Sequence, residues 1–173
     1  MPLLYKRICV IGSCGSGKTT FARTVAKSIG SCYIELDALY HLPGWQDASR
    51  EAFEEEAIKR MSADRWIVDG NYMNMLRDHL AESDLIIWLD YPFRIVLRRM
   101  LWRTFRRLFT REELWNGNRE TWRMTFSRES IVLYLFQTYW KRRRNFPRYL
   151  SIYDSQVLRF RHPREARRWI KGL

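Results

Sequence analysis

Apolar residues along this chain follow two rhythms. Ile8-Cys9-Val10-Ile11, Trp66-Ile67-Val68 and Leu85-Ile86-Ile87-Trp88-Leu89 are short unbroken runs, and between them apolar residues recur every three or four positions. An unbroken run suits a strand buried on both faces, whereas a spacing near 3.6 suits a helix with one buried stripe. The pattern predicts strands over about 6–11, 31–36, 65–69, 84–90 and 157–161. It predicts helices over about 18–29 and 48–61, a short one ending near Ala81, a long one from Pro92 to about Phe109, another reaching about Asn145, and a last one starting at Pro163. Residues 37–45 read as a loop with a turn at Pro43-Gly44, and 110–123 as a polar connection. Strands spaced by helices imply an α/β fold with a parallel sheet covered on both faces. A chain of 173 residues fits a single domain.

The first strand runs straight into Gly12-Ser13-Cys14-Gly15-Ser16-Gly17-Lys18-Thr19-Thr20. This is the G-x-x-x-x-G-K-T phosphate-binding loop (P-loop), placed between a strand and an amphipathic helix as its chemistry requires. Glycine lets the backbone fold tightly enough to aim its N–H groups at one small volume, and the following helix adds the positive end of its dipole. Lys18 is expected on the β- and γ-phosphates of ATP, the Thr19 hydroxyl on Mg²⁺, and Thr20 on the same oxygens.

Charge divides the chain in two. Residues 1–93 hold 10 Lys and Arg against 13 Asp and Glu, while residues 94–173 hold 21 against 6. The basic half must face something anionic or repel itself. Cys9, Cys14 and Cys32 show no metal-binding spacing, and the three histidines are scattered. No apolar stretch is long enough to span a membrane and the start lacks a signal-peptide pattern, so a cytoplasmic location is expected.

Three predicted strands end in Asp, at positions 37, 69 and 90. Such ends gather at the ligand-binding edge of a parallel sheet, and Asp69 is the favoured partner for Mg²⁺. The segments Leu36-Asp37-Ala38-Leu39-Tyr40, Pro43-Gly44-Trp45, Trp66-Ile67-Val68-Asp69-Gly70-Asn71-Tyr72, Leu89-Asp90-Tyr91-Pro92 and Gly117-Asn118-Arg119-Glu120, taken with the glycine loop, resemble the bacterial topology modulation protein family. Members of that family are adenylate-kinase-like P-loop proteins. The resemblance implies a P-loop NTPase of nucleoside-monophosphate-kinase type, with a five-stranded parallel sheet flanked by helices and a helical lid over about 104–128. It also places Arg99 and Arg103 where such proteins carry the R-x-x-x-R that enters the lid.

Phosphoryl transfer is catalysed mostly by positioning and by cations around the equatorial oxygens, work suited to the planar fork of arginine. Arg99 and Arg103 lie one helical turn apart, and Arg119, Arg123 and Arg128 fall in or just after the expected lid. Asp37 is expected to orient the acceptor hydroxyl, with Asn71, Tyr72 and Arg77 lining its pocket and either Arg77 or Arg50 standing in for the Arg that grips the monophosphate in adenylate kinases. Adenylate kinases follow the third strand with D-G-x-P-R, but here the stretch is Asp69-Gly70-Asn71-Tyr72-Met73, which weakens the case for a nucleoside monophosphate acceptor. The aromatics Phe93, Trp102, Phe105 and Phe109 read as core contacts, with a membrane-surface helix as the alternative. The residues therefore point to an ATP- and Mg²⁺-dependent small-molecule kinase. A nucleotide-regulated DNA-binding protein that acts on DNA topology through its basic half is the competing reading. No N-K-x-D guanine motif occurs, and the base contact is expected near Arg161-His162-Pro163.

Overall fold

A computed structural model describes residues 5–125, 127 and 130–173. Its frame is a five-stranded sheet of β1 (Arg7–Gly12), β2 (Cys32–Glu35), β5 (Trp66–Asp69), β6 (Leu85–Leu89) and β7 (Gln156–Phe160). All neighbours run parallel, in the order β2-β5-β1-β6-β7. β1, the P-loop strand, is central, pairing with β5 on one side and β6 on the other. Alternate residues of each strand serve opposite faces. Cys9, Ile11, Ile86 and Trp88 join one core with Phe53, Leu76 and Phe146. Ile8, Val10, Leu85 and Ile87 join the other with Val25, Val96 and Tyr139.

The helices that supply these cores are α1 (Lys18–Ile29), α3 (Arg50–Met61), α4 (Arg77–Leu80), α5 (Phe93–Thr110), α7 (Ile131–Leu150) and α8 (Pro163–Lys171). Their ends carry local signals. Gly30 closes α1 in the left-handed conformation, the Ser49 hydroxyl accepts from the Ala52 N–H at the start of α3, and His162 with Glu165 forms a capping box for α8.

Residues 37–45 are more ordered than a loop. α2 (Leu36–Tyr40) makes one helical turn, and β3 (His41–Leu42) then pairs antiparallel with β4 (Gln46–Asp47) around a 3₁₀ turn at Pro43–Trp45. Buried Leu36 anchors the turn to the core, a contact no local periodicity displays. The helix expected to stop near Asn145 continues to Leu150 through Pro147, because Phe146 and Leu150 both bury on its inner face. Four residues, α6 (Trp122–Thr125), form a short helix in the connection between α5 and α7.

The reading of all four α5 aromatics as core contacts holds only for Phe93. Its ring packs against Phe136, Tyr139 and Trp140 of α7, whereas Trp102, Phe105 and Phe109 are exposed. Val96, Met100, Thr104 and Leu108 fill the buried side of α5. The three exposed rings lie on the opposite side by helical spacing.

Candidate active site

Residues 13–17 turn from the end of β1 into α1. Gly17 sits at φ 89°, ψ 25° and Gly15 at φ 78°, both in the left-handed region that side chains disfavour. A Cβ on Gly15 would stand 2.6 Å from the Val96 carbonyl oxygen, so the loop can rest on α5 only if that residue is glycine. Ser16 N–H donates to the Ser13 carbonyl at 3.1 Å, and the Gly17 carbonyl accepts from Phe21 N–H at 3.0 Å. The Ser16 hydroxyl is buried without a hydrogen-bond partner among the described residues. Cys14 is partly exposed in the same loop, and Thr20 is exposed one residue beyond Thr19.

Beside the loop, the Thr19 hydroxyl donates to Asp69 Oδ2 at 2.6 Å. Asp69 is 2 % exposed, and its other oxygen, Oδ1, has no hydrogen-bond partner among the described residues. Burial pushes its pKa up to about 6, against the opposing pull of the Lys18 ammonium and the Thr19 hydroxyl, while Asp37 and Glu35 push it further up. A buried carboxylate with a free oxygen, a threonine hydroxyl, an unpartnered serine hydroxyl and a lysine beside a backbone cradle form a hard-oxygen donor set suited to Mg²⁺ and phosphate. The residues present therefore fit both groups.

The second acid, Asp37 on α2, accepts from the Tyr72 hydroxyl at 2.8 Å. The Tyr72 ring is fixed between Tyr40 and Phe53, at centroid distances of 5.1 and 4.8 Å. Burial and the nearby Asp37 charge both raise the Tyr72 pKa, so this phenol stays protonated as a donor. Asp90, the third strand-end acid, has a structural job. Its oxygens receive Arg159 at 2.6 and 3.0 Å and Arg143 at 3.2 Å, which ties β6 to β7 and α7.

Two residues expected around the acceptor have other partners. The Asn71 side chain accepts from Gly12 N–H at 3.2 Å and donates to the Gly12 carbonyl at 2.8 Å, so its amide clamps the base of the phosphate loop. The backbone requires this: Asn71 follows β5 directly, and Gly70 N–H donates to the Val10 carbonyl of the neighbouring strand. Arg77 lines a separate cleft with Asn74, Asn145, Arg148 and Tyr153. Buried Met73 and Leu76 draw the intervening chain into the core and deliver Arg77 to the α7 side. Arg50, the other residue expected to stand in for the missing monophosphate-gripping Arg, pairs with Glu54 on the exposed side of α3.

The arginines also divide. Arg103 lies near enough to Cys14 of the phosphate loop, Glu120 and Asp37 for all three to act on it electrostatically, and burial and neighbouring Arg107 push its pKa down. Its Nε is buried without a hydrogen-bond partner among the described residues. Arg99 Nη1 donates to the Ser16 carbonyl at 3.0 Å, and its guanidinium lies over the Tyr91 ring at 5.5 Å, so it props the loop from beneath. Arg119 is exposed and pairs with Glu113 at 3.3 Å. Arg128, the last expected lid arginine, lies outside the described residues.

Sequence reasoning missed a contact between the α5–α7 connection and the hairpin that follows Asp37. Asn116 donates to the Ala38 and His41 carbonyls at 3.0 and 2.6 Å, and Asn118 donates to the Leu42 carbonyl at 2.9 Å while accepting from Trp45 N–H at 2.9 Å. Trp115 donates to Glu35 at 2.9 Å and stacks on His41 at 5.7 Å. Its available signal was Asn116-Gly117-Asn118, a turn sequence with two side chains suited to backbone carbonyls. Behind it, Arg107 and Glu120 pair at 2.7 Å, each with its side chain 14 % exposed.

Fold and loop together define an adenylate-kinase-like P-loop kinase fold. A shikimate kinase from Acinetobacter baumannii, solved with shikimate, superposes with a TM-score of 0.56 at 16% identity, over 98% of this chain and 90% of that one. A gluconokinase from Sinorhizobium meliloti gives 0.51 at 20% identity, over 96% and 91%. In sequence, human threonine synthase-like 1 is 30% identical over 110 residues, and a shikimate kinase from Synechococcus elongatus is 28% identical over 109. The first match covers 55% of this chain and 15% of that protein, the second 53% and 55%. The chain thus spans about half the length of the shikimate kinase and a small part of the threonine synthase-like protein. No family model matches the chain.

Proposed function

We propose that this protein is an ATP- and Mg²⁺-dependent phosphotransferase that moves the γ-phosphoryl group to a hydroxyl of a small molecule. The observation that carries this reading is the short Thr19–Asp69 hydrogen bond at the foot of the glycine cradle, with the second Asp69 oxygen buried and, among the described residues, unpartnered. When bound, Mg²⁺ neutralises phosphate charge as it builds on the leaving group; Thr19 and Asp69 are the residues that would hold it. Lys18 holds the phosphate oxygens, and Arg103 stabilises the group in transit. Asp37, oriented by the Tyr72 hydroxyl, holds the acceptor hydroxyl and takes its proton late in the transfer. The segment over about 104–128 serves as the lid of a single-domain kinase; the contacts of Asn116 and Asn118 with the hairpin after Asp37 support this, and closure excludes water so that transfer outcompetes hydrolysis.

Names among the similar proteins, shikimate kinase and gluconokinase, support a small-molecule acceptor on this fold. The segments most specific to the topology modulation family, Pro43-Gly44-Trp45 and Asp69-Gly70-Asn71-Tyr72, belong to the hairpin and to the loop clamp, which supports membership as part of the same reading. An acceptor nucleoside remains within it, and the cytoplasm, where ATP is made available, is the natural location. An ADP-release screen over nucleosides, nucleoside monophosphates and sugar acids, with Lys18→Ala as the blank, tests the proposal. One class should give acceptor-dependent ADP that Asp37→Asn abolishes while ATP still binds. Absence of saturable Mg·ATP binding would overturn it.

A further inference from the structure

Of the 14 large hydrophobic side chains exposed among the described residues, 11 lie between 102 and 152. The same stretch is strongly basic: residues 94–152 hold 15 Lys and Arg against 4 Asp and Glu. On α5 the two properties coincide. Phe109 is 75 % exposed, Trp102 65 % and Phe105 47 %. Positions 102, 105 and 109 share one side of an α-helix, and 98 and 106 lie on the same side. The result is a row of rings along a rod about 27 Å long, flanked by Arg98 and Arg106 and pointing away from the core. Trp122 of α6 extends the row, meeting Phe109 edge-on at 5.6 Å. The Arg106 guanidinium lies over the Trp102 ring at 5.4 Å and also reaches Glu112 at 2.6 Å.

A helix with one face in the protein core has no folding reason to carry two phenylalanines and a tryptophan on the other. We propose that the outward face of α5 docks this protein onto an anionic lipid surface, with Trp102, Phe105 and Phe109 entering the headgroup boundary and Arg94, Arg98 and neighbouring basic residues meeting lipid phosphates. The occupant follows from shape and charge. A second copy would bring like charge onto like charge. Single-stranded nucleic acid is usually held in a basic groove that tracks its backbone, and duplex readers present polar side chains to base edges. A convex row of phenyl and indole rings edged by arginines instead matches a helix lying in the interface. Among the described residues no helix is long and apolar enough to cross a membrane, so the contact lies on the bilayer.

Flotation of the whole chain with phosphatidylglycerol vesicles and with phosphatidylcholine vesicles tests this, alongside W102S/F105S/F109S and R94E/R98E variants whose folding is checked by circular dichroism. The wild type should float with the anionic vesicles, in a salt-sensitive manner, and poorly with the neutral ones. Both variants should partition about tenfold or more weakly. In the unmodified chain, lipids brominated in the upper acyl chain should quench tryptophan emission, and Trp102→Phe should remove part of that quenching while flotation persists. Failure of the wild type to float, or flotation unchanged in the ring variant, would overturn the proposal. So would an oligonucleotide that the wild type binds and the ring variant loses, with no vesicle binding in either.

Discussion

Asp69 holds its charge at a cost. Its carboxyl is buried, so its pKa rises from an ordinary 3.8 to about 6. Between those values the folded chain keeps a proton that the unfolded chain has released. The stability this group contributes is full below about pH 4, falls as pH rises through 6, and stays low above it. Asp69→Asn removes the burden, so the ligand-free variant should be more stable than the wild type at pH 7 by on the order of 2 kcal/mol, with the two converging near pH 4. The same variant should lose the Mg²⁺-dependent thermal shift with ATP. Denaturation at several pH values, with and without Mg·ATP, reads both effects. A destabilised ligand-free variant would contradict the burial argument. Arg103 is the cationic counterpart, placed among the phosphate loop, Glu120 and Asp37. Arg103→Lys keeps the charge and loses the fork, and should cut kcat by about a hundredfold with KM for ATP changed little. Single-turnover kinetics checks this, and a loss confined to KM would make Arg103 a binding group only.

At the scale of elements, the phosphate loop was legible because everything it needs is local: a buried strand, glycines at fixed spacing and a helix behind them. The sheet was legible for the same reason, since β1, β5 and β6 are unbroken apolar runs. The region around Asp37 was not. α2 and its hairpin are held by Asn116, Asn118 and Trp115, more than seventy residues away, and no periodicity in 37–45 announces such partners. Asn71 and Arg77 follow β5 closely, yet one turns into the phosphate loop and the other to the α7 side, because buried Met73 and Leu76 set the path between them. The asparagine contacts join the connection after α5 to the hairpin. Asn118→Ala removes two hydrogen bonds at once, and amide exchange should then accelerate together in 38–47 and 112–120 while α1 keeps its protection. In the enzyme assay the expected signature is a higher acceptor KM and a larger share of ATP lost to water. Faster exchange in only one of the two segments would show that they move separately.

Across the whole molecule, the basic second half serves three separate ends. Arg99, Arg103 and Arg107 turn inward to the phosphate loop and Glu120, and Arg94 and Arg98 are exposed on the side of α5 that carries the rings. Arg143 and Arg159 converge on Asp90. That last cluster fastens the C-terminal part of the chain to the sheet. Asp90 is buried at the end of β6, its N–H donates to the Phe160 carbonyl of β7, and its two oxygens hold arginines from α7 and β7. Arg159 also lies over Trp88 at 4.2 Å, so its guanidinium is fixed on two sides. Asp90→Asn would leave both arginines facing an amide that cannot balance them. Removing one member of a buried ion pair typically costs 3–5 kcal/mol, but these arginines are partly open to water, which brings the expected loss to about 2 kcal/mol. For a chain of this size that lowers Tm by roughly 4–8 °C. Mg·ATP affinity measured well below the transition should stay within about twofold, because both Asp90 oxygens are already held by arginines. Calorimetric unfolding and a binding titration on the same variant separate the outcomes. Intact stability with lost affinity would return Asp90 to the nucleotide site and require a different account of why three strands end in aspartate.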